Sequence, residues 1–298
     1  MPQHCGLYFT PTNIDIARNH QDREPFKSAW ALLRGRDTQA GAAANALWYA
    51  LRVRFDAAAP DTALDYFRRA RPTGTETYIE AVGWWLAQAQ TFELLRDYIG
   101  PDWLETFANG VTELKQLGRA STFADQLWLN LLNMAAGVVL EDPATSDQAA
   151  AFFRQIIRDE VHPEGYISAA IGEPDGGSLQ RMLRAAQALI LTAEIADHAG
   201  YDLWRYESRG VSALTPVPYL LYYYYYPEKW RWEEGLSLEP TQVFYRQHAG
   251  FWEMANQRGQ LRDLRTLLDE LRPIFDAYGG GLTTLTHSPP PRRRGLFG

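Results

Sequence analysis

The stretch Ser121-Thr122-Phe123-Ala124-Asp125-Gln126-Leu127-Trp128-Leu129-Asn130-Leu131-Leu132-Asn133-Met134-Ala135-Ala136-Gly137-Val138-Val139-Leu140 decides the architecture. Its apolar residues do not keep to one stripe. Leu127, Leu129, Leu131, Leu132, Met134, Val138 and Val139 run nearly all the way round a helix. A helix that is apolar on every side has to be covered on every side, so the spacing predicts an inner helix of a layered, all-helical fold.

The segments around it alternate in character. Over residues 76–97, Ile79, Val82, Trp85/Leu86, Ala89 and Phe92 recur at intervals of three and four, the helical period. Pro101 opens a further helix with Leu104, Phe107 and Val111 on one face, and proline is well placed in a first turn. Residues 147–160 are amphipathic through Ala150, Phe153 and Ile157. A long helix over 178–199 begins with Ser178 as its expected N-cap and stops at Gly200. Helices are also expected over 25–34, 39–56, 62–70 and Pro218–Tyr226, and later over 241–257 and 259–278. Fully apolar helices taking turns with one-faced ones suit a double ring of α-hairpins, the inner layer covered and the outer layer wet. From Gly279-Gly280-Gly281 through Pro289-Pro290-Pro291 to Arg292-Arg293-Arg294, the composition reads as a mobile end. The expected division is a helical domain over 1–280 and a flexible Pro/Arg-rich tail over 281–298.

Composition narrows the function. The formal net charge of −7 argues against nucleic acid, whose phosphates need a basic face. No apolar run reaches the roughly 20 residues of a membrane span. Cys5 is the single cysteine, so no intrachain disulfide can form. The first residues carry no basic and apolar leader, which points to the cytoplasm unless a leader precedes this chain. No metal-ligand spacing, phosphate loop, dinucleotide fingerprint or nucleophile elbow is present, and neither metal nor cofactor is expected. Ten Trp and sixteen Tyr are many for 298 residues. Most of them fill helix interfaces, but such rings also line sugar grooves.

Three stretches resemble the alginate lyase family. Phe9–Ala17 with Glu24-Pro25-Phe26-Lys27-Ser28-Ala29-Trp30 is similar to its first hairpin. Gln88–Tyr98, containing Glu93-Leu94-Leu95-Arg96, resembles a second family helix. The longest match runs from His162-Pro163-Glu164-Gly165 through Leu191-Thr192-Ala193-Glu194-Ile195-Ala196 and Gly200-Tyr201-Asp202-Leu203-Trp204 to Lys229-Trp230. The resemblance implies an incomplete (α/α) toroid that acts on an acidic, uronate-containing poly- or oligosaccharide. The reaction it implies is β-elimination, in which the sugar carboxylate is neutralised, a base takes the C5 proton and an acid protonates the leaving oxygen.

The residues that carry the reaction in that family are not matched here. Phe123-Ala124-Asp125 stands where the family has Asn-Asn-His, and a carboxylate there would repel a uronate. Gly177 and either Arg181 or Arg184 fall where its Arg and Tyr stand. Other residues are candidates. His162 and Tyr166 lie on the turn before the loop 168–177 and are of the right type for base and acid; His162 is better suited to capping the helix before it. Arg181 and Arg184, one turn apart, can clamp a carboxylate, although a solvated outer face fits them too. Gln126, Tyr222 in the run Tyr222–Tyr226, and Trp230 complete the expected sugar contacts. His198 reads as a helix cap and His248 as a core residue. The alternative is a toroid that binds carbohydrate or a protein partner without turning it over.

Overall fold

A computed structural model describes residues 6–35, 39, 41–116, 120–172 and 176–291. The α-helices, in chain order, are α1 (Pro11–Asn19), α2 (Phe26–Gly35), α3 (Ala42–Asp56), α4 (Asp61–Arg69), α5 (Tyr78–Leu94), α6 (Asp102–Gln116), α7 (Phe123–Val139) and α8 (Pro143–Asp159). They continue with α9 (Ser168–Ile171), α10 (Ser178–His198), α11 (Pro216–Tyr225), α12 (Leu238–Gln247), α13 (Gly250–Gly259), α14 (Arg262–Leu271) and α15 (Thr283–His287). Among the described residues there is no strand, only three isolated β-bridges.

The inner layer is α3, α5, α7, α10 and α13, packed side by side in that order. In α7 only Phe123, Gln126, Leu129 and Asn133 escape full burial, as its all-round apolar pattern requires. Outer helices α4, α6, α8 and α14 each pack on the inner helix next to them in the chain. α15 touches α13, α1 and α2, and α2 touches α3, which completes the incomplete toroid.

Each outer helix reverses the chain, so α3, α5, α7 and α10 run parallel and start at one end of the ring. Two of those starts are written in local sequence. The Thr77 hydroxyl accepts from the Glu80 N–H at 3.4 Å, while the Glu80 carboxylate accepts from the Thr77 N–H at 2.9 Å. Thr122 and Asp125 repeat the reciprocal cap at the head of α7. At the opposite end the Arg96 guanidinium donates to the Val139 carbonyl at 2.9 Å and pairs with Glu93 and Glu141, joining the ends of α5 and α7.

A buried charge cluster around Glu194 also sits at that far end. The Glu194 carboxylate accepts from the Trp204 indole at 3.0 Å and from the Arg258 guanidinium at 3.2 Å, with His198 and His287 nitrogens at 3.6 and 3.5 Å. Burial by itself pushes this carboxyl up. Hydrogen bonds from the two histidines and the Arg258 charge win, and it sits well below the usual carboxylate range. His198 thus serves a side chain one turn back rather than the helix end.

The late helices differ from the expected ones. The single helix expected over 241–257 breaks at His248-Ala249, because Gly250 has to meet the returning chain. Its N–H reaches Asp276 Oδ2 at 3.3 Å, and a Cβ there would run into the Gly279 carbonyl. The helix expected over 259–278 stops at Leu271, where Arg272 leaves the helical region and Pro273 has no N–H to continue it. Residues 279–288 are buried, not the start of a tail. Gly280 and Gly281, at φ 103° and 83°, turn the chain back into the ring with a backbone that side chains resist. The polar residues that follow find partners inside. The Thr284 hydroxyl accepts from the Ile274 N–H at 2.9 Å, and His287 Nε2 meets the Tyr8 carbonyl at 2.8 Å. Arg292, Arg293 and Arg294 lie outside the described residues.

If 279–288 belong to the core, Leu285→Ala, which empties a fully buried site, costs about 2–4 kcal/mol in the denaturant unfolding free energy. A solvated tail would give a change within about 0.5 kcal/mol.

Candidate functional site

The parallel starts of the inner helices make one end of the ring electropositive. Part of that potential is already met by carboxylates, namely Glu80, Asp125, and Glu233, which accepts from Ser178 Oγ at 3.2 Å and the Leu179 N–H at 3.4 Å. The N-cap of α10 is therefore Gly177 with a distant carboxylate in attendance, and Ser178 is the first helical residue. Asp125 does not point its charge freely into the mouth. One of its oxygens accepts from the N–H groups of Ser121 and Thr122, at 3.1 and 2.9 Å, and from the Ser121 hydroxyl.

Arg184, two turns into α10, is the exceptional cation at this end. Its guanidinium lies 5.4 Å from the Trp128 ring centre and 5.6 Å from that of Phe244, and it donates weakly to Gln187 Oε1 at 3.3 Å. The Trp128 indole in turn donates to the Arg184 carbonyl at 3.0 Å, fixing the ring against the same turn. Burial pulls this arginine down to about 10, opposed by the negative charges of Asp276 and Glu80 and by Tyr278. It stays charged at neutral pH, yet none of those groups reaches it as an ion pair. A desolvated guanidinium with spare donors is a strong carboxylate receptor.

Asp276 and His248 stand around it. The Asp276 carboxylate is fully enclosed and accepts from Gln187 Nε2 at 3.0 Å and from the N–H groups of Gly250, Tyr278 and Gly279. Burial still holds it above the ordinary range, against the Arg184 charge and those donors. His248 packs edge-on to Phe244 at 4.7 Å. Burial first, and the Arg184 charge second, push its imidazole down to about 3, so it is neutral near pH 7.

The residues singled out in the sequence fall in three places. Arg184 lies toward the end of the ring where the inner helices start, the mouth, and Gln126 lies exposed on the first turn of α7. Arg181 has different surroundings from Arg184, for its guanidinium donates to the carbonyls of Ala170 and Gly176 and ties down the segment ahead of α10. Residues 173–175 of the loop 168–177 lie outside the described residues. His162 and Tyr166 stack face to face at 4.3 Å across a tight hairpin, with His162 Nδ1 accepting the Glu164 N–H at 3.2 Å. Tyr166 continues to Trp232 at 5.1 Å, and Arg231 covers both rings. Trp230 is buried, 4.8 Å from Trp232, and its indole donates to Ser178 Oγ at 2.7 Å, so this aromatic patch borders the head of α10. Tyr222 is exposed on the outer face, in a crevice of about 490 Å³ between α11 and the start of α14. Sequence reasoning missed Asp276 and Phe244, which come to Arg184 from distant segments, and Gln187, one turn along α10. The Asp-x-Tyr-Gly-Gly-Gly turn is the one local sign that Asp276 organises a tight reversal.

The depressed imidazole has a pH consequence. In the unfolded chain His248 takes up a proton near its ordinary 6.5, and in the folded chain only near 3. Its contribution to stability is complete above about 6.5 and is lost as pH falls toward 3, with a slope of at most about 1.4 kcal/mol per pH unit. Denaturant unfolding of wild type and His248→Gln at pH 4 to 7 should show a shallower acid loss in the variant. Parallel curves would mean that the imidazole is not held neutral.

Comparison with known proteins places these features. The family model described as alginate lyase matches residues 79–230. The crystal structure of alginate lyase A1-III from Sphingomonas species A1 superposes with a TM-score of 0.65 at 15% identity, over 90% of this chain and 80% of that one. A tyrosine-to-phenylalanine form of that lyase complexed with tetrasaccharide gives a TM-score of 0.68 at 15% identity, over 98% and 85%. A histidine-to-alanine form complexed with tetrasaccharide gives 0.63 at 17%, over 91% and 79%. A search of characterised proteins by sequence finds no match. Identities this low carry the fold alone, but the family model spans more than half of the 298 residues, and the chain belongs to the alginate lyase family.

Proposed function

We propose that the ring mouth binds an acidic, uronate-containing poly- or oligosaccharide, with Arg184 receiving a sugar carboxylate. The observation that carries this reading is the Arg184 guanidinium, largely buried, flanked by Trp128 and Phe244, and without an ion-pair partner among the described residues. A carboxylate entering there exchanges water for a charge-assisted contact in a low-dielectric wall. The bordering rings of Tyr166 and Trp232, backed by the buried Trp230, suit the apolar faces of sugars. The family's lyases that are complexed with tetrasaccharide support this ligand class.

One observation favours turnover by β-elimination as a second reading. His248 is neutral beside the arginine and has a lone pair to take a proton. Burial, the larger cause of its depression, persists when a substrate carboxylate offsets the Arg184 charge. It therefore remains a weak base, far below the pH at which a general base works best. That weighs toward binding over fast chemistry.

Titration with oligouronates of four to six units should give saturable binding that Arg184→Gln weakens by about 10- to 100-fold, the equivalent of about 1.5–3 kcal/mol for a hydrogen bond to a charged group. Unchanged affinity in a folded Arg184→Gln protein would overturn the assignment. On polyuronates, new ultraviolet absorbance from unsaturated product that disappears in His248→Gln would mark a lyase; binding with no such absorbance marks a binding toroid.

A further inference from the structure

Outside the mouth, a crevice of about 580 Å³ forms a gap in the ring's wall between α4 and α6. Its floor comes from α5. Trp84, Trp85 and Gln88 lie on one face of that helix, since positions three and four apart project together. Trp84 and Trp85 meet at 4.7 Å and 88°, forming a corner in which a ring lying on one indole meets the edge of the other. Trp103 from α6 makes the opposite wall, itself braced by stacking on Phe92 and Phe107 at 4.5 and 5.0 Å. Trp85 can lean on α6 because residue 110 is glycine, for a Cβ there would collide with the indole. The crevice is thus a built feature of both helices.

Two polar observations say what it takes. Gln88 lines the crevice, is 1% exposed, and its amide Nε2 has no hydrogen-bond partner. An orphan donor in an apolar surround costs free energy until something supplies an oxygen. At the rim, Arg68 is exposed on the last turn of α4, next to Arg71, whose guanidinium is taken by the carbonyls of Arg68 and Ala70. Asp102 stands at the α6 side, so an anion is favoured only toward α4. A purely aliphatic ligand would leave Gln88 unmet. An oxygen-rich ring with one negative group answers all three features.

We propose that this crevice is a second saccharide site, separate from the ring mouth. It takes one uronate unit, whose ring rests in the Trp84–Trp85 corner, with a hydroxyl or ring oxygen on Gln88 and the carboxylate toward Arg68. The site is argued from its own residues and does not require Arg184 to bind anything.

The test is calorimetric titration with a uronate tetrasaccharide of wild type, Arg184→Gln, and the double variant Arg68→Ala/Gln88→Leu, with folding checked by far-ultraviolet circular dichroism. The double variant should lose one binding event, or weaken it at least tenfold, while the event lost in Arg184→Gln persists. A neutral tetrasaccharide should bind the wild-type crevice at least tenfold more weakly. Stoichiometry and affinities equal to wild type in the double variant would overturn the proposal, whatever Arg184→Gln does. Should the double variant unfold, Arg68→Ala alone, at an exposed position, must still weaken the event; no change there overturns it equally.

Discussion

The enclosed carboxylate of Asp276 is the interaction on which both the ring and its mouth depend. A carboxylate removed from water is unfavourable unless donors surround it. Here three backbone N–H groups and the Gln187 amide do so, and they come from α10, from the start of α13 and from the glycine turn itself. Satisfying one acceptor thereby fixes three segments. The same charge helps a guanidinium remain ionised in a place where burial works against it.

That arrangement explains how the mouth differs from its expected chemistry. Two basic groups, Arg184 and His248, share a poorly hydrated pocket, and the arginine keeps the charge because its intrinsic basicity is far greater. The imidazole is left neutral, by its burial first and by the arginine's charge second. Asp125, whose position suggested repulsion of a uronate, is engaged by Ser121 and Thr122 at the head of α7. Among the described residues the mouth therefore presents Arg184 as a cation framed by rings, with its carboxylates largely committed to helix starts and to the glycine turn.

The layers of the ring were legible because a packed helix must show its environment at every third or fourth residue. Leu127 to Val139 advertise a helix covered all round, and Thr77 with Glu80 advertises where another begins. The site was legible in part. Arg184 could be named as a carboxylate binder, but whether it faces inward depends on Trp128 and Phe244, which no local pattern links to it. The closing segment was misread for a physical reason. Gly-Gly-Gly, Thr-Thr and Pro-Pro are poor in apolar area, and composition counts only area. Thr284, Thr286, His287 and Ser288 are buried with hydrogen bonds to Ile274, Asn13, Tyr8 and Glu253, partners at irregular separations that leave no periodic trace.

The seam between the first and last segments bears on how the protein comes to be. His287 meets the Tyr8 carbonyl across 279 positions, and Asn13 Nδ2 donates to the Thr286 carbonyl across 273. Contacts of such separation form late, because the loop they close has to be ordered first. On the ribosome, α1 and α2 emerge long before the partner that covers them. Phe26 and Trp30 meet His20 and Phe55 early, but the sides of α1 and α2 that face α15 stay open there until nearly the whole described chain has been made. Synthesis of this ring is thus a race between completing the circle and sticking to something else.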